Sequence, residues 1–152
     1  MKAVRIEDGR PTVVDIDSPK GEGVLVNIVS SSICSFDFHL IDVGAVEGRI
    51  IGHEFAGTTP DGTAVAVEPM IGCGVCRYCV EGERRECEGE SSFMGVRSDG
   101  GMAEQVIVDP AMLVRLPSGL DVGIAALVEP LAVAAHLLRR VALLDGERVG
   151  VI

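Results

Sequence analysis

The sequence predicts a mainly β domain with some α-helix, built as a small barrel that carries a lobe of metal-binding cysteines. Three observations predict it. Short aliphatic segments recur between Gly- and Pro-containing turns over the first two-thirds of the chain. Four of the five cysteines fall in one run, CGVCRYCVEGERREC, from Cys73 to Cys87. Beyond residue 120 the apolar spacing lengthens to that of helices.

The elements follow in order. Lys2 to Ile6 and Pro11 to Ile16 flank the turn Glu7-Asp8-Gly9 and read as a hairpin. Gly23 to Ile33 (GVLVNIVSSSI) alternates as a half-buried strand does. Ile50 to Gly57 and Gly62 to Glu68 are further strands around the turn Pro60-Asp61-Gly62. Asp99-Gly100-Gly101 introduces a strand from Met102 to Val108, and Met112 to Leu116 follows Pro110. Asp121 caps a short helix to about Leu127, because its carboxylate can accept from the first free N–H groups. Pro130 suits the first turn of a second helix, where its missing N–H costs nothing. That helix places Leu131, Ala134, Leu137, Leu138 and Val141 on one face, expected to be core, and His136 reads as structural. Asp145-Gly146 should stop it, and Glu147 to Ile152 (ERVGVI) reads as the start of a buried strand.

The 152 residues suffice for one domain with a real core. Hydrophobic residues make up 47% but aromatics only 3%, so the core must be aliphatic. The net charge of −10 argues against nucleic acid and against anionic membrane surfaces, since both would be repelled. No unbroken apolar run reaches the length of a membrane span, and MKAVRIEDGR has no signal-peptide pattern. An odd number of cysteines at metal-ligand spacing fits a reducing cytoplasm better than a disulfide framework.

Cys73, Cys76 and Cys79 are separated by two residues each, and Cys87 stands further on. Such gaps turn successive thiolates inward on one loop and let the fourth close a tetrahedral shell, the arrangement of a structural zinc site with no open position. Iron in a rubredoxin-like cage is the chemical competitor, but such cages come as two separated CxxC knuckles. A second constellation is Cys34, at the end of a strand in Cys34-Ser35-Phe36-Asp37-Phe38-His39, with His53 in Gly52-His53-Glu54-Phe55-Ala56-Gly57. A cysteine, a histidine and a carboxylate can hold zinc and leave a position for water or a substrate oxygen. Taken singly, each is as well explained by a buried thiol or a structural histidine.

Cys34-x-x-Asp37-x-His39, Gly52-His53-Glu54-x-x-Gly57, the cysteine lobe, Asp99-Gly100-Gly101-x-Ala103-Glu104 and Glu129-Pro130-Leu131-Ala132 stand in the order seen in a known family. The chain resembles the N-terminal, GroES-like catalytic domain of the zinc-dependent medium-chain alcohol and polyol dehydrogenases, in its sorbitol-dehydrogenase-like branch. The resemblance implies that Cys34 and His53 are catalytic-zinc ligands, with Glu54 an exchangeable carboxylate beside the metal and Glu129 a further ligand. It implies that Asp37 orients the zinc-bound histidine and that His39 ends a proton relay. Cys73, Cys76, Cys79 and Cys87 match the structural zinc ligands. Many relatives carry Ser or Thr two residues after the ligand cysteine, where this chain has Phe36, so the usual relay hydroxyl is missing. The segment from Leu40 to Gly48 is short for the family, implying a more open pocket on that side.

On this reading residues 1–120 form the GroES-like barrel, with the zinc lobe at 72–90. Residues 121–152 are connecting helices and the first strand of a truncated Rossmann domain, ERVGVI resembling that strand. The implied function is zinc-assisted hydride transfer from an alcohol or polyol to NAD or NADP. The fragment alone is expected to bind two zincs and to be inactive. Further expectations are a cytoplasmic protein, a small-molecule substrate, no nucleic-acid or membrane partner, and a homo-oligomer at full length. Which residues bind the dinucleotide is not given by this stretch of sequence. The rival reading is a stand-alone zinc-stabilised binding module without catalysis, and an iron electron-transfer site is a third.

Overall fold

The structure is a computed structural model that describes residues 1–89, 91–141, 143 and 146–151. The expected hairpin is present: β1 (Lys2–Glu7) pairs antiparallel with β2 (Arg10–Asp15). The central sheet contains β3 (Val24–Ser32), β4 (Glu54–Thr58), β5 (Ala64–Val67), β8 (Gln105–Val108) and β9 (Leu113–Arg115), all antiparallel in the order β8-β3-β4-β5-β9. Among the described residues β8 and β9 are its two edges, so the barrel-like sheet is left open there. The short pair β6 (Met70–Ile71) and β7 (Ser92–Phe93) brackets the cysteine lobe, which includes α2 (Arg77–Val80). Glu90, at the end of the expected lobe, lies outside the described residues.

Alternation along the strands explains the core. Val26, Phe55, Val65, Val67, Val106 and Val108 point inward and meet Met94 and Met112 in the main cluster. A second cluster, Ile6, Leu40, Val46 and Ile51, fastens the hairpin and α1 (Ser35–Asp42) to the sheet. Fully burying such side chains contributes about 1.5–3 kcal/mol each. The core is aliphatic around a single phenylalanine, as the composition requires.

Between residues 50 and 53 the expected strand gives way to a clamped loop. The Asp99 carboxylate accepts from Ile50 N–H at 3.1 Å, Gly100 N–H donates to the Ile50 carbonyl at 2.7 Å, and Gly101 N–H donates to the Gly52 carbonyl at 2.8 Å. A Cβ on Gly101 would stand 2.1 Å from the Phe55 ring, so only glycine lets this loop approach. The Asp-Gly-Gly run therefore fixes the backbone immediately before His53.

Several expectations are corrected. Residues Ser35–Asp42, read as an unassigned segment, form a helix started by a side-chain cap. Residues Val122–Leu127 form a 3-10 helix, capped by Asp121 as expected, which runs directly into α3 (Val128–Val141). The stripe Leu131, Ala134, Leu137, Leu138 and Val141 is not core: α3 buries no residue and Leu131 is 64% exposed. The first turn of α3 meets the sheet through Val128, in the cluster of Ala56, Ala66, Leu116 and Ala125, and among the described residues nothing covers the stripe. Residues 147–151 form no strand, and Val149 and Val151 are exposed. Asp145 and Ile152 lie outside the described residues. Finally, the helical stretch Val122–Val141, with a mean hydropathy of 1.6, is long and apolar enough to cross a membrane by length and composition. Glu129 breaks its apolar run without lowering that average far, which is why a search for unbroken runs passes over it.

Candidate metal centres

Cys34 is the N-cap of α1. Its Sγ accepts from Phe36 N–H at 3.5 Å, while its own N–H donates to Asp37 Oδ2 at 2.9 Å. This reciprocal box uses a thiol and an aspartate where Ser and Glu are usual. It spends one Asp37 oxygen on the helix start and leaves the other free to turn inward. Asp37 Oδ1 lies 3.3 Å from His53 Nδ1; the two residues are 2% and 4% exposed, and neither atom has another partner. His53 is accordingly pushed up to about 9, chiefly by Asp37, against the opposing effect of burial and with further help from Cys34. With Nδ1 facing the carboxylate, Nε2 is the nitrogen left to bind a metal.

Glu54 follows at the first position of β4, 6% exposed. Ligand atoms of Cys34, His53 and Glu54 all lie within 4.8 Å of one another. Glu129, in the first turn of α3, is half-buried and stands outside that group. Its carboxyl is raised by burial, lowered by His53 and raised again by Glu54, so it feels both residues. His39 is exposed on the last turn of α1 and stacks on Phe36, with ring centres 6.3 Å apart. Phe36 stands edge-on to His53 at 6.0 Å, and Phe93 lies 5.4 Å from His53 and 6.4 Å from Phe36, so the two rings share one flank of the imidazole. Two of the chain's four phenylalanines thus wall this one histidine.

In the lobe, Cys73 follows β6, Cys76 caps α2, Cys79 lies within it, and Cys87 ends a 3-10 turn at Arg84–Glu86. The four sulfurs approach within 4.8 Å of one another. Cys73 N–H donates to Cys87 Sγ at 3.2 Å and Cys76 N–H to Cys73 Sγ at 3.3 Å, the contacts that stabilise thiolates. Backbone N–H donors from Val75 and Cys76 lower Cys73. Those of Cys79 and Glu88 bring Cys76 to about 6, while burial pushes Cys79 up to about 12. A Cβ on Gly72 would stand 2.4 Å from Cys79 Sγ and one on Gly89 2.9 Å from Cys73 Sγ, so the cage needs both glycines. Both donor sets fit zinc: four soft sulfurs in a closed cage, and a sulfur, an imidazole and a carboxylate around an open position.

The structure brings together Cys34, His53, Glu54 and Asp37, leaves Glu129 at electrostatic range, and places His39 behind Phe36. Sequence reasoning passed over Phe93, Gly72, Gly89 and Ser32. The Ser32 hydroxyl donates to Glu54 Oε2. Three hydroxyls in a row at the end of a strand, just before Cys34, were the available signal.

The alcohol dehydrogenase GroES-like domain matches residues 20–118. L-galactonate-5-dehydrogenase of Escherichia coli (strain K12) is 35% identical over 91% of this chain and 44% of its own length. The probable D-xylulose reductase A of Arthroderma otae is 32% identical over 98% of this chain and 45% of its own. The crystal structure of galactitol-1-phosphate dehydrogenase from Escherichia coli superimposes with a TM-score of 0.85 at 31% identity, over 93% of this chain and 45% of that one. The chain spans a little under half the length of these relatives. With the barrel, the cysteine cage and the order of motifs, this shows that the chain belongs to the zinc-type alcohol and polyol dehydrogenase family, as its GroES-like domain.

Proposed function

We propose that this chain is the metal-binding catalytic part of a zinc-dependent NAD(P) dehydrogenase that oxidises an alcohol or polyol. The observation that carries the reading is the convergence of Cys34, His53 and Glu54 within 4.8 Å, with Asp37 behind His53. Cys34, His53 and Glu54 would hold a catalytic zinc, Glu129 being a further candidate ligand, and Cys73, Cys76, Cys79 and Cys87 a structural one. When bound, zinc would supply Lewis acidity that lowers the pKa of a substrate hydroxyl, and NAD(P) would supply the hydride acceptor.

The chain's own residues prepare that chemistry. Asp37 holds His53 with Nδ1 toward its carboxylate and leaves Nε2 for the metal. Phe36 and Phe93 place apolar surface on one flank of the imidazole, and the burial of His53 and Asp37 strengthens the interaction between them. The cysteine cage braces the loop between β6 and β7, and Phe93 of β7 borders the site. A carboxylate at the position of Glu129 supports polyols, sugars or amino alcohols over simple alcohols as the substrate class.

Metal content tests the reading. Two zincs per chain are expected, one of them lost on Cys34→Ala while the fold and the lobe zinc survive. One zinc in both proteins would overturn the catalytic site and favour a zinc-stabilised binding module.

A further inference from the structure

We infer that Ser32 is a positioning residue for Glu54, fixing how that carboxylate meets a metal held by Cys34 and His53. The inference rests on the metal site proposed above and concerns a residue that none of the motifs includes.

The placement is set by the sheet. Ser32 is the last residue of β3 and pairs directly across the ladder with Glu54, the first residue of β4. The register between these strands shifts between Ile28 and Ser30, and after that irregularity the two positions come opposite. Backbone pairing, beyond a choice of rotamer, thus brings the Ser32 hydroxyl to Glu54 Oε2, where it donates a hydrogen bond. The neighbouring serines hold the same corner. Ser31 Oγ donates to the Glu54 carbonyl at 3.4 Å. Ser30 Oγ donates to the Val122 carbonyl at 2.6 Å and accepts from Ala126 N–H at 3.2 Å, tying β3 to the segment that leads to Glu129.

The chemistry needs such a donor. Glu54 is 6% exposed, and a buried carboxylate without a hydrogen-bond donor is costly enough to turn away. A hydrogen bond to an ionised acceptor is among the strong ones. With Oε2 held by Ser32, the Glu54 carboxylate is fixed in orientation beside Cys34 and His53 and offers Oε1 to a metal. Partners of this kind, one step behind the ligands, typically change metal affinity by about ten- to a hundred-fold.

The test uses the chain with its cysteine lobe filled by zinc, titrated with cobalt(II) and followed by visible absorption and chelator competition. Ser32→Ala should weaken binding at the Cys34 site by about ten- to a hundred-fold and alter the ligand-field bands. Ser32→Thr, which keeps the hydroxyl, should restore both, and in a Glu54→Gln background Ser32→Ala should add little. Unchanged or tighter binding in Ser32→Ala, failure of Ser32→Thr to rescue, or a full Ser32→Ala effect without the Glu54 carboxylate would each overturn the inference. Cys34→Ala separates it from the reading beneath. If that variant leaves the cobalt spectrum unaltered, the metal site itself falls and the role of Ser32 falls with it. If Cys34→Ala abolishes the signal while Ser32→Ala is silent, only the role of Ser32 falls.

Discussion

Replacing Asp37 by asparagine changes one atom and sets two contacts against each other. Asp37 accepts at both oxygens, from Cys34 N–H at 2.9 Å and toward His53 Nδ1 at 3.3 Å. Asparagine offers one acceptor and one donor. If its oxygen keeps the Cys34 N–H, its amide group faces Nδ1, and the imidazole must carry its proton on Nε2, where the metal would bind. The carboxylate holds His53 at about 9 instead of 6.5, a difference worth about 3 kcal/mol in favour of a cation on the ring. A zinc ion carries twice the charge of a proton and draws at least as much from the same carboxylate. Asp37→Asn should therefore weaken zinc at the Cys34 site by about ten- to a hundred-fold at neutral pH.

The pH dependence makes the argument sharper. At pH 7 the wild-type site loses about two decades of affinity to protonation of His53, whereas a variant with an ordinary histidine loses almost none. The gap between the two proteins should then widen by about five- to ten-fold per unit between pH 7 and 9. Zinc competition titrations across that range, with NMR titration of the His53 ring in the metal-free site, measure both quantities. A gap that is constant with pH, or a His53 midpoint that stays near 9 in the variant, would refute the reasoning.

Two further outcomes follow from the same geometry. With the Cys34 site empty, the raised value of His53 stabilises the fold fully below about pH 6.5, and this is lost as pH rises through about 9. Urea unfolding should register a loss of up to about 3 kcal/mol across that window, abolished by Asp37→Asn. Gly72→Ala would drive a methyl group to 2.4 Å from Cys79 Sγ, so this variant should lose the lobe zinc and melt earlier while retaining metal at Cys34, read by metal content and thermal unfolding.

Legibility in the sequence followed how local each device is. The cysteine cage could be read from spacing, since two-residue gaps confine three sulfurs to one loop before any long-range contact forms. The strands were visible as alternation, but their ends were not. Ile50 to His53 looks like strand until the Asp99-Gly100-Gly101 loop claims its hydrogen bonds from almost fifty residues away. Helix α1 escaped because SFDFHLID has little amphipathic period; the cap made by Cys34 and Asp37 starts it instead. The stripe on α3 shows the opposite failure. Periodicity reports that a face is apolar, and cannot report what covers it. Ser32 was invisible for a third reason, since its role depends on a shift of register in β3.

The exchange of a hydroxyl for Phe36 then acquires a physical meaning. Residue 36 holds a ring 6.0 Å from the centre of His53 and 6.3 Å from that of His39. Phe93 lies 6.4 Å from Phe36 and closes the same side with apolar surface. Described hydroxyl groups meet this group of ligands at the end of β3, where Ser31 and Ser32 bond to Glu54. The site is therefore apolar where Phe36 and Phe93 meet and polar toward β3. Burial strengthens the Asp37–His53 interaction that orients the imidazole, while the hydroxyl donor from β3 holds Glu54 in place. A hydroxyl at residue 36 is not needed to hold either group, because the Asp37 carboxylate accepts from His53 and the Ser32 hydroxyl donates to Glu54, on either side of it in the chain.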